Sequence, residues 1–207
     1  RGFAQHPGGK GANQAVASHR AGAKTLLYGA IGGDETAHFM QAALTDAGLS
    51  LDQIAVTPSP TGTALVMVGP NTNQIMVIPG ANHDATWPPT DKAPKLKSKD
   101  VLMTQGECTP EATEAFLMAG KEAGALTILN AAPANDTFRH AAKLADILIL
   151  NEVEADYFNK SPLPTLPAGD DLLKLNHDLG RSMAQPLIVT LGADGLCALI
   201  GNDYYRH

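Results

Sequence analysis

Cysteine is scarce in this chain. Cys108 and Cys197 are the only two in 207 residues, with no C-x-x-C and no histidine at metal-binding spacing. That pattern argues against a thiolate metal centre and reads as two small apolar fillers in a reduced, cytoplasmic compartment. Basic charge is not in excess either: 15 Lys and Arg face 21 Asp and Glu, for a formal net charge of -6. A nucleic-acid footprint is therefore not expected. The one lysine cluster, "KAPKLKSKD" (92–100), reads as a solvated connection. No apolar run approaches the ~18 residues a membrane-spanning helix needs, and the first residues lack a signal-peptide pattern. Asn135-Asp136-Thr137 matches a glycosylation acceptor, which carries no meaning without secretion.

Several catalytic signatures are missing as well. There is no G-x-x-x-x-G-K-[ST], and Gln14 stands where G-x-G-x-x-G would need its third glycine, so neither common phosphate-binding loop is present. H-E-x-x-H, G-x-S-x-G and the zinc deaminase pattern are absent too. His6, His19, His38 and His83 have no partner at catalytic spacing and read as ordinary polar residues.

What is present is a 44% hydrophobic, 17% charged chain, ordinary for a globular protein. A chain of this length would bury roughly 70% of its unfolded surface. Apolar, β-branched runs alternate with helical patterns, which predicts an α/β fold. Strands are expected at 24–32, 100–107, 126–130, 146–151 and 186–192. Helices are expected at 34–48, capped by Asp34 with Gly48 just past its end, from Thr109 with Pro110 in its first turn, between 130 and 146, around 152–158, and from about 169 to 184. "TGTALVMV" and "QIMVIPG", flanking "GPNTN", predict a β-hairpin (61–79) that breaks the alternation and stands outside the main sheet. "SPLPTLPAGD" (161–170) reads as a surface connection. No repeat and no second domain boundary are visible.

In an open α/β sheet, ligands gather at the carboxyl ends of strands. Three strands end in polar sequence there: "QGE" (105–107), "LNE" (150–152) and "TLGADG" (190–195). The turn "GGKG" (8–11) opens a helix, where free N–H groups favour oxygens or anions. Glycines at 8 and 9 let the backbone approach a ligand closely.

The same residues, "GGKGANQAVASHRAGA", followed in order by "TGTALVMV…IPGAN", "LMTQGE", "ILNAAPA", "ILNEVEAD" and "VTLGADG", resemble the ribokinase-like, PfkB-type family of carbohydrate kinases over nearly the whole chain. The resemblance implies a three-layer sandwich with a mostly parallel central sheet and a small β lid formed by 61–79. It implies transfer of a phosphoryl group from ATP to a sugar hydroxyl, with Mg²⁺ and a monovalent cation such as K⁺, and a possible homodimer through the lid. Lys10 and Gln14 point towards the branch that phosphorylates D-ribose to ribose 5-phosphate. The alternatives are a fructokinase-like or adenosine-kinase-like relative, or a sugar- or nucleotide-binding relative without catalysis.

By the same resemblance, Gly9, Lys10, Gly11, Ala12 and Asn13 form the sugar-binding turn, and Glu107 bonds a sugar hydroxyl. Asn151 and the turn Thr190, Leu191, Gly192, Ala193, Asp194 and Gly195 meet the nucleotide. Glu154, the acid of Asn-x-x-Glu, helps hold Mg²⁺ and phosphate through water. Each residue also has a plainer reading. The glycine turn is then a structural turn, Glu107 a surface charge near a helix, Glu154 a complement to a helix dipole, and "TLGADG" a turn between two paired strands. The family's catalytic aspartate, carried in a Gly-Ala-Gly-Asp motif, has no counterpart here. Neither Asp34, after Gly32-Gly33, nor Asp170, after Ala168-Gly169, stands in the right order. The chain opens on "RGFAQH" without a Met and closes on "GNDYYRH" in what reads as a strand. It is therefore expected to be a piece lacking both an early strand and the segment that carries the base.

Overall fold

The structure is a computed structural model that describes residues 2, 4–68, 73–89, 95–159, 162–182 and 184–207. By its internal contacts the chain divides into two compact units. One comprises Arg1–Pro94 with Glu107–Thr109, the other Lys95–Gly106 with Pro110–His207.

The first unit begins with α1 (Lys10–Arg20). A short parallel pair follows, β1 (Gly29–Ile31) beside β2 (Ile54–Val56), with α2 (Glu35–Asp46) between them. Ala15 and Leu44 from the two helices pack with Leu49, and Leu27 and Ile54 close the cluster. The strand expected over 24–32 is thus confined to three residues. A strand needs a hydrogen-bonding neighbour, and only Gly29–Ile31 has β2 alongside it; Leu27 contributes to the core without being in a strand.

The helix expected at 34–48 is present with its cap. Asp34 accepts the Ala37 N–H at 2.8 Å, and also the N–H and hydroxyl of Thr61 at 2.8 and 2.7 Å. The Thr61 hydroxyl in turn accepts the Gly32 N–H at 3.0 Å. One carboxylate therefore ties the end of β1, the start of α2 and the root of the hairpin. The hairpin pairs β3 (Thr63–Val68) with β4 (Asn73–Ile78), antiparallel, as a two-stranded sheet of its own. Its turn at 69–72, like 92–94 of the lysine cluster and Ser161 of the proline-rich connection, lies outside the described residues.

The second unit holds a six-stranded sheet in the order β10-β9-β8-β7-β6-β5. Strands β5 (Val101–Gln105), β6 (Leu126–Asn130), β7 (Ile147–Asn151) and β8 (Leu187–Thr190) run parallel. Between them come α3 (Pro110–Glu122), α4 (Arg139–Leu144), α5 (Glu152–Asn159) and α6 (Gly169–Asp178). β9 (Leu196–Ile200) and β10 (Asp203–Arg206) complete the sheet antiparallel. Leu148 and Leu150, alternate residues of β7, are fully buried, as a strand covered on its apolar face requires. They pack with Leu129, Leu172, Leu175, Leu187, Phe138 and Phe158. Cys108 and Cys197 are free, and among the described residues no helix is long and apolar enough to cross a membrane.

The helix expected over 169–184 stops at Asp178. Gly180 adopts φ 67°, a conformation that glycine enters without the penalty other residues meet, and the chain turns inward so that Arg181 is 5% exposed. The guanidinium donates to Asn176 Oδ1 at 2.8 Å and to the carbonyls of Ala142, Ala145 (2.9 Å), Asp146 (3.2 Å) and Pro186 (3.0 Å). Burial pushes its pKa down to about 10, so the side chain stays charged at neutral pH. It joins the end of α4 to the residues that enter β7 and β8.

Replacing Arg181 with Met should strip a buried hub from these carbonyls and lower unfolding free energy by about 3–5 kcal/mol, measured by urea denaturation. A loss below about 1 kcal/mol would show that the carbonyls find other partners.

The Asp34 carboxyl is held below its ordinary value by its bonds from Thr61 and Ala37. A depressed carboxyl contributes stability above the ordinary carboxylate pKa of 3.8, and loses it as pH falls through the lower, folded value. Asp34→Asn should therefore flatten the acid limb of stability against pH below about 4, read by urea midpoints. An unchanged acid limb contradicts this role.

Candidate functional site

α1 starts without help from its own sequence. Gly9, at φ 94° and ψ 131°, precedes the helix and offers no side-chain cap, and no acidic residue lies in the first turn. A helix start leaves several N–H groups without intrahelical partners. The acceptor comes from 97 residues away. Glu107 accepts the Lys10 N–H at Oε2, 2.9 Å, and its Oε1 lies 3.2 Å from Lys10 Nζ. Three of the predicted sugar-site residues, Gly9, Lys10 and Glu107, thus meet at the head of α1. The plainer reading made Glu107 a surface charge near a helix; the helix it serves is α1, 97 residues away.

Among the described residues, a side chain built on Gly8 or Gly9 would meet nothing within 4 Å. At Gly9 the positive φ itself disfavours any other residue. Gly11 and Ala12 lie in the first turn of α1, and Asn13, whose N–H reaches the Gly9 carbonyl at 2.9 Å, stands exposed. Gly8, Ala12, Asn13 and Val16 border a cavity of about 310 Å³ with Met40 and Leu44 of α2. This volume sits at the lower end for small-molecule pockets.

In the second unit, β7 and β8 pair so that Asn151 lies opposite Thr190, bringing two predicted nucleotide motifs to the same carboxyl edge of the sheet. The Thr190 hydroxyl reaches the Leu150 carbonyl at 3.3 Å. Gly192–Asp194 form a short 3₁₀ turn, closed where the Leu191 N–H meets the Gly195 carbonyl at 2.8 Å. Strands β8 and β9 leave this turn antiparallel, so "TLGADG" is also the strand connection of the plainer reading. Thr190, Gly192, Ala193 and Asp194 are exposed. Leu191 is 4% exposed and belongs to the core, leaving only its main chain to meet a ligand. A cavity of about 250 Å³ adjoins Leu191 and Asp194, but Glu152 and Asp156 also border it. Three carboxylates disfavour phosphates there.

Glu154 is buried. Its Oε2 accepts the Asn151 N–H at 2.9 Å and its Oε1 the Asn151 side-chain amide at 3.1 Å. The Glu154 N–H returns a bond to Asn151 Oδ1 at 2.8 Å. This is the reciprocal capping pattern of a polar residue followed three positions later by Glu. The spacing in "NEVE" is the signal for it, beside the role of helping to hold Mg²⁺ and phosphate through water that the resemblance implies for this acid. Among the described residues no group of three or more His, Cys, Asp or Glu could hold a metal ion. Asp34 caps α2, and Asp170 lies in the first turn of α6.

Three kinds of similarity bear on this arrangement. A family described as "pfkB family carbohydrate kinase" matches residues 1–207. The bifunctional ribokinase/ribose-5-phosphate isomerase A of Fructilactobacillus sanfranciscensis is 40% identical over 156 residues, 72% of this chain and 28% of that protein. The ribokinase of Haemophilus influenzae is 31% identical over 192 residues, covering 91% of this chain and 62% of its own length. Among solved structures, Arabidopsis thaliana ribokinase complexed with ribose and ATP superposes with a TM-score of 0.79 at 27% identity, over 97% of this chain and 66% of that one. The chain thus spans less than two thirds of the curated relatives described.

Removing the remote cap should loosen the head of α1. In Glu107→Ala, amide hydrogen exchange at Lys10 should quicken by about fivefold, the equivalent of ~1 kcal/mol for a lost helix cap. Unchanged exchange at Lys10 would remove Glu107 from this role.

Proposed function

Because this chain belongs to the pfkB family of carbohydrate kinases, we propose that it is the sugar- and nucleotide-binding part of an ATP-dependent ribokinase that converts D-ribose to ribose 5-phosphate. The observation that carries the reading is the meeting of Glu107 with the Gly9–Lys10 turn, 97 residues apart in sequence, below an open stretch of glycine backbone.

Phosphoryl transfer depends on positioning and charge placement more than on covalent chemistry. In this proposal the sugar lies on the turn Gly9 to Asn13. The exposed Asn13 amide donates to one hydroxyl and accepts from another. Glu107 keeps its Oε2 on the Lys10 N–H and accepts a sugar hydroxyl through a remaining lone pair. Lys10, already paired with that carboxylate, donates without leaving an excess positive charge beside a neutral sugar. Asn151 and the exposed residues Thr190 and Gly192 to Asp194 meet the nucleotide, with Leu191 and Gly195 contributing main chain. The attacking sugar oxygen forms a bond to the γ-phosphorus as the bond to the bridging oxygen of ADP breaks. The hydroxyl proton passes to an aspartate that we place outside these 207 residues.

Mg²⁺ is part of this proposal, held chiefly by the nucleotide phosphates, since among the described residues no group of three or more His, Cys, Asp or Glu is placed to hold it. Mg²⁺ demands near-octahedral oxygen at ~2.0–2.1 Å and commonly rides on substrate phosphates with several waters. Glu154 does not fit as a direct ligand, since both of its oxygens face Asn151 and it is 7% exposed. K⁺ finds no assigned ligand here.

The hairpin β3–β4 exposes Leu65, Val66, Met67, Ile75, Met76 and Val77. We assign it as a lid that excludes water from the sugar, and as the surface through which two copies would pair.

The full-length protein should phosphorylate D-ribose with ATP, and Asn13→Ala should raise the ribose KM by about 5–150-fold, as expected when ~1–3 kcal/mol is lost at an unpaired polar site. Initial-rate kinetics with ribose, fructose and adenosine decide the matter. Turnover of fructose or adenosine but not ribose overturns the assignment, and unchanged ribose kinetics in folded Asn13→Ala removes that residue from the sugar site.

A further inference from the structure

Glu154 and Asn151 hold each other. Three hydrogen bonds join them, two into the carboxylate and one back from the Glu154 N–H. Glu154 is 7% exposed and sits where strand β7 passes directly into α5. We infer that Glu154 is a positioning residue that fixes the amide of Asn151 toward the nucleotide, and not a ligand of a metal ion. The inference rests on the nucleotide assignment of Asn151 proposed above.

An asparagine amide can present either its oxygen or its nitrogen in a given direction. Here the choice is made by Glu154. Asn151 Oδ1 receives the Glu154 N–H, and Nδ2 donates to Glu154 Oε1. Rotating the amide by half a turn would set Nδ2 hydrogens against the Glu154 N–H and Oδ1 against a carboxylate oxygen. Both contacts become repulsive, so one orientation is selected. It leaves one Nδ2 hydrogen for a ligand, a donor suited to a phosphate oxygen. The register pairing of Asn151 with Thr190 places that donor on the strand edge that carries the turn Thr190 to Gly195.

A metal ion bonded to Glu154 would have to compete with these bonds inside a buried carboxylate. The neighbouring acids do not reinforce such a site: Glu152 is exposed, and Asp156 accepts the Leu163 N–H at 2.6 Å.

The test uses the full-length protein with Asn151→Ala, Glu154→Ala, Glu154→Gln and the double variant Asn151→Ala/Glu154→Ala. ATP binding is measured by titration calorimetry in EDTA, without sugar or metal, and the half-saturating Mg²⁺ concentration is measured separately at saturating ATP. If Glu154 acts through Asn151, each alanine variant weakens metal-free ATP binding by about tenfold, a single well-placed hydrogen bond to charge. The double variant is then no weaker than either alone. Glu154→Gln, which keeps one acceptor for Asn151 and should fold where alanine does not, falls between wild type and Glu154→Ala. Half-saturating Mg²⁺ stays within about twofold of wild type throughout. The inference is overturned if Glu154→Ala or Glu154→Gln leaves metal-free ATP binding unchanged while raising the Mg²⁺ requirement about tenfold, or if the two alanine effects simply add. Wild-type protein that binds no ATP even with Mg²⁺ overturns the kinase reading, and this inference with it.

Discussion

Backbone N–H groups at the start of a helix have no partner within the helix, and four carboxylates among the described residues satisfy them. Asp34 accepts the Ala37 N–H at the head of α2. Glu107 accepts the Lys10 N–H at the head of α1, Glu154 accepts the Asn151 N–H before α5, and Asp171 accepts the Ala168 N–H before α6. Negative charge at these positions also complements the helix dipole. The same acids that a chemical reading would assign to sugar, metal or base are therefore, first, parts of the scaffold.

That double employment shapes what the site can do. Glu107 is held from two directions, by a main-chain N–H and by Lys10 Nζ, so in the proposed sugar site it would meet a ligand already oriented, with little side-chain entropy left to lose. At the glycine turn it supports, side chains built on Gly8 or Gly9 would meet nothing among the described residues within 4 Å. In the second unit the parallel pairing of β7 with β8 sets Asn151 beside Thr190, and the Arg181 hub ties together the residues that lead into those two strands. Burial and strand register thus fix where the polar groups stand, and the caps fix which way they point.

Much of this was legible in the sequence. The Asp34 cap, the helix it opens, the β3–β4 hairpin and the parallel strands β5 to β8 all follow from local patterns of period, capping and turn residues. The features that were misread depend on partners distant in sequence. Residues 24–28 look like strand, yet have no neighbour to pair with. The stretch after Asp178 looks helical, yet turns at Gly180, and the Arg181 guanidinium sits among carbonyls of α4 and its flanks. β2, three residues long, carries too short a pattern to recognise. At the site, the glycine turn and "TLGADG" were visible as motifs, but the cap that Glu107 supplies to α1 spans 97 residues and leaves no local trace. Asn151 and Glu154 are the opposite case. Their spacing states a capping box openly, and a chemical reading of the acid concealed it.

The central claim is that the acids of the site hold the protein's own backbone and side chains, and orient other groups to meet ligands. The most direct measurement is a crystal structure of the full-length protein with ribose, Mg²⁺ and a non-hydrolysable ATP analogue. The account predicts that Glu154 keeps its bonds to Asn151, that Asn151 Nδ2 lies within hydrogen-bond distance of a phosphate oxygen, and that Glu107 still accepts the Lys10 N–H beneath the sugar. A Glu154 oxygen found at about 2.1 Å from the metal, with the bonds to Asn151 broken, would contradict it.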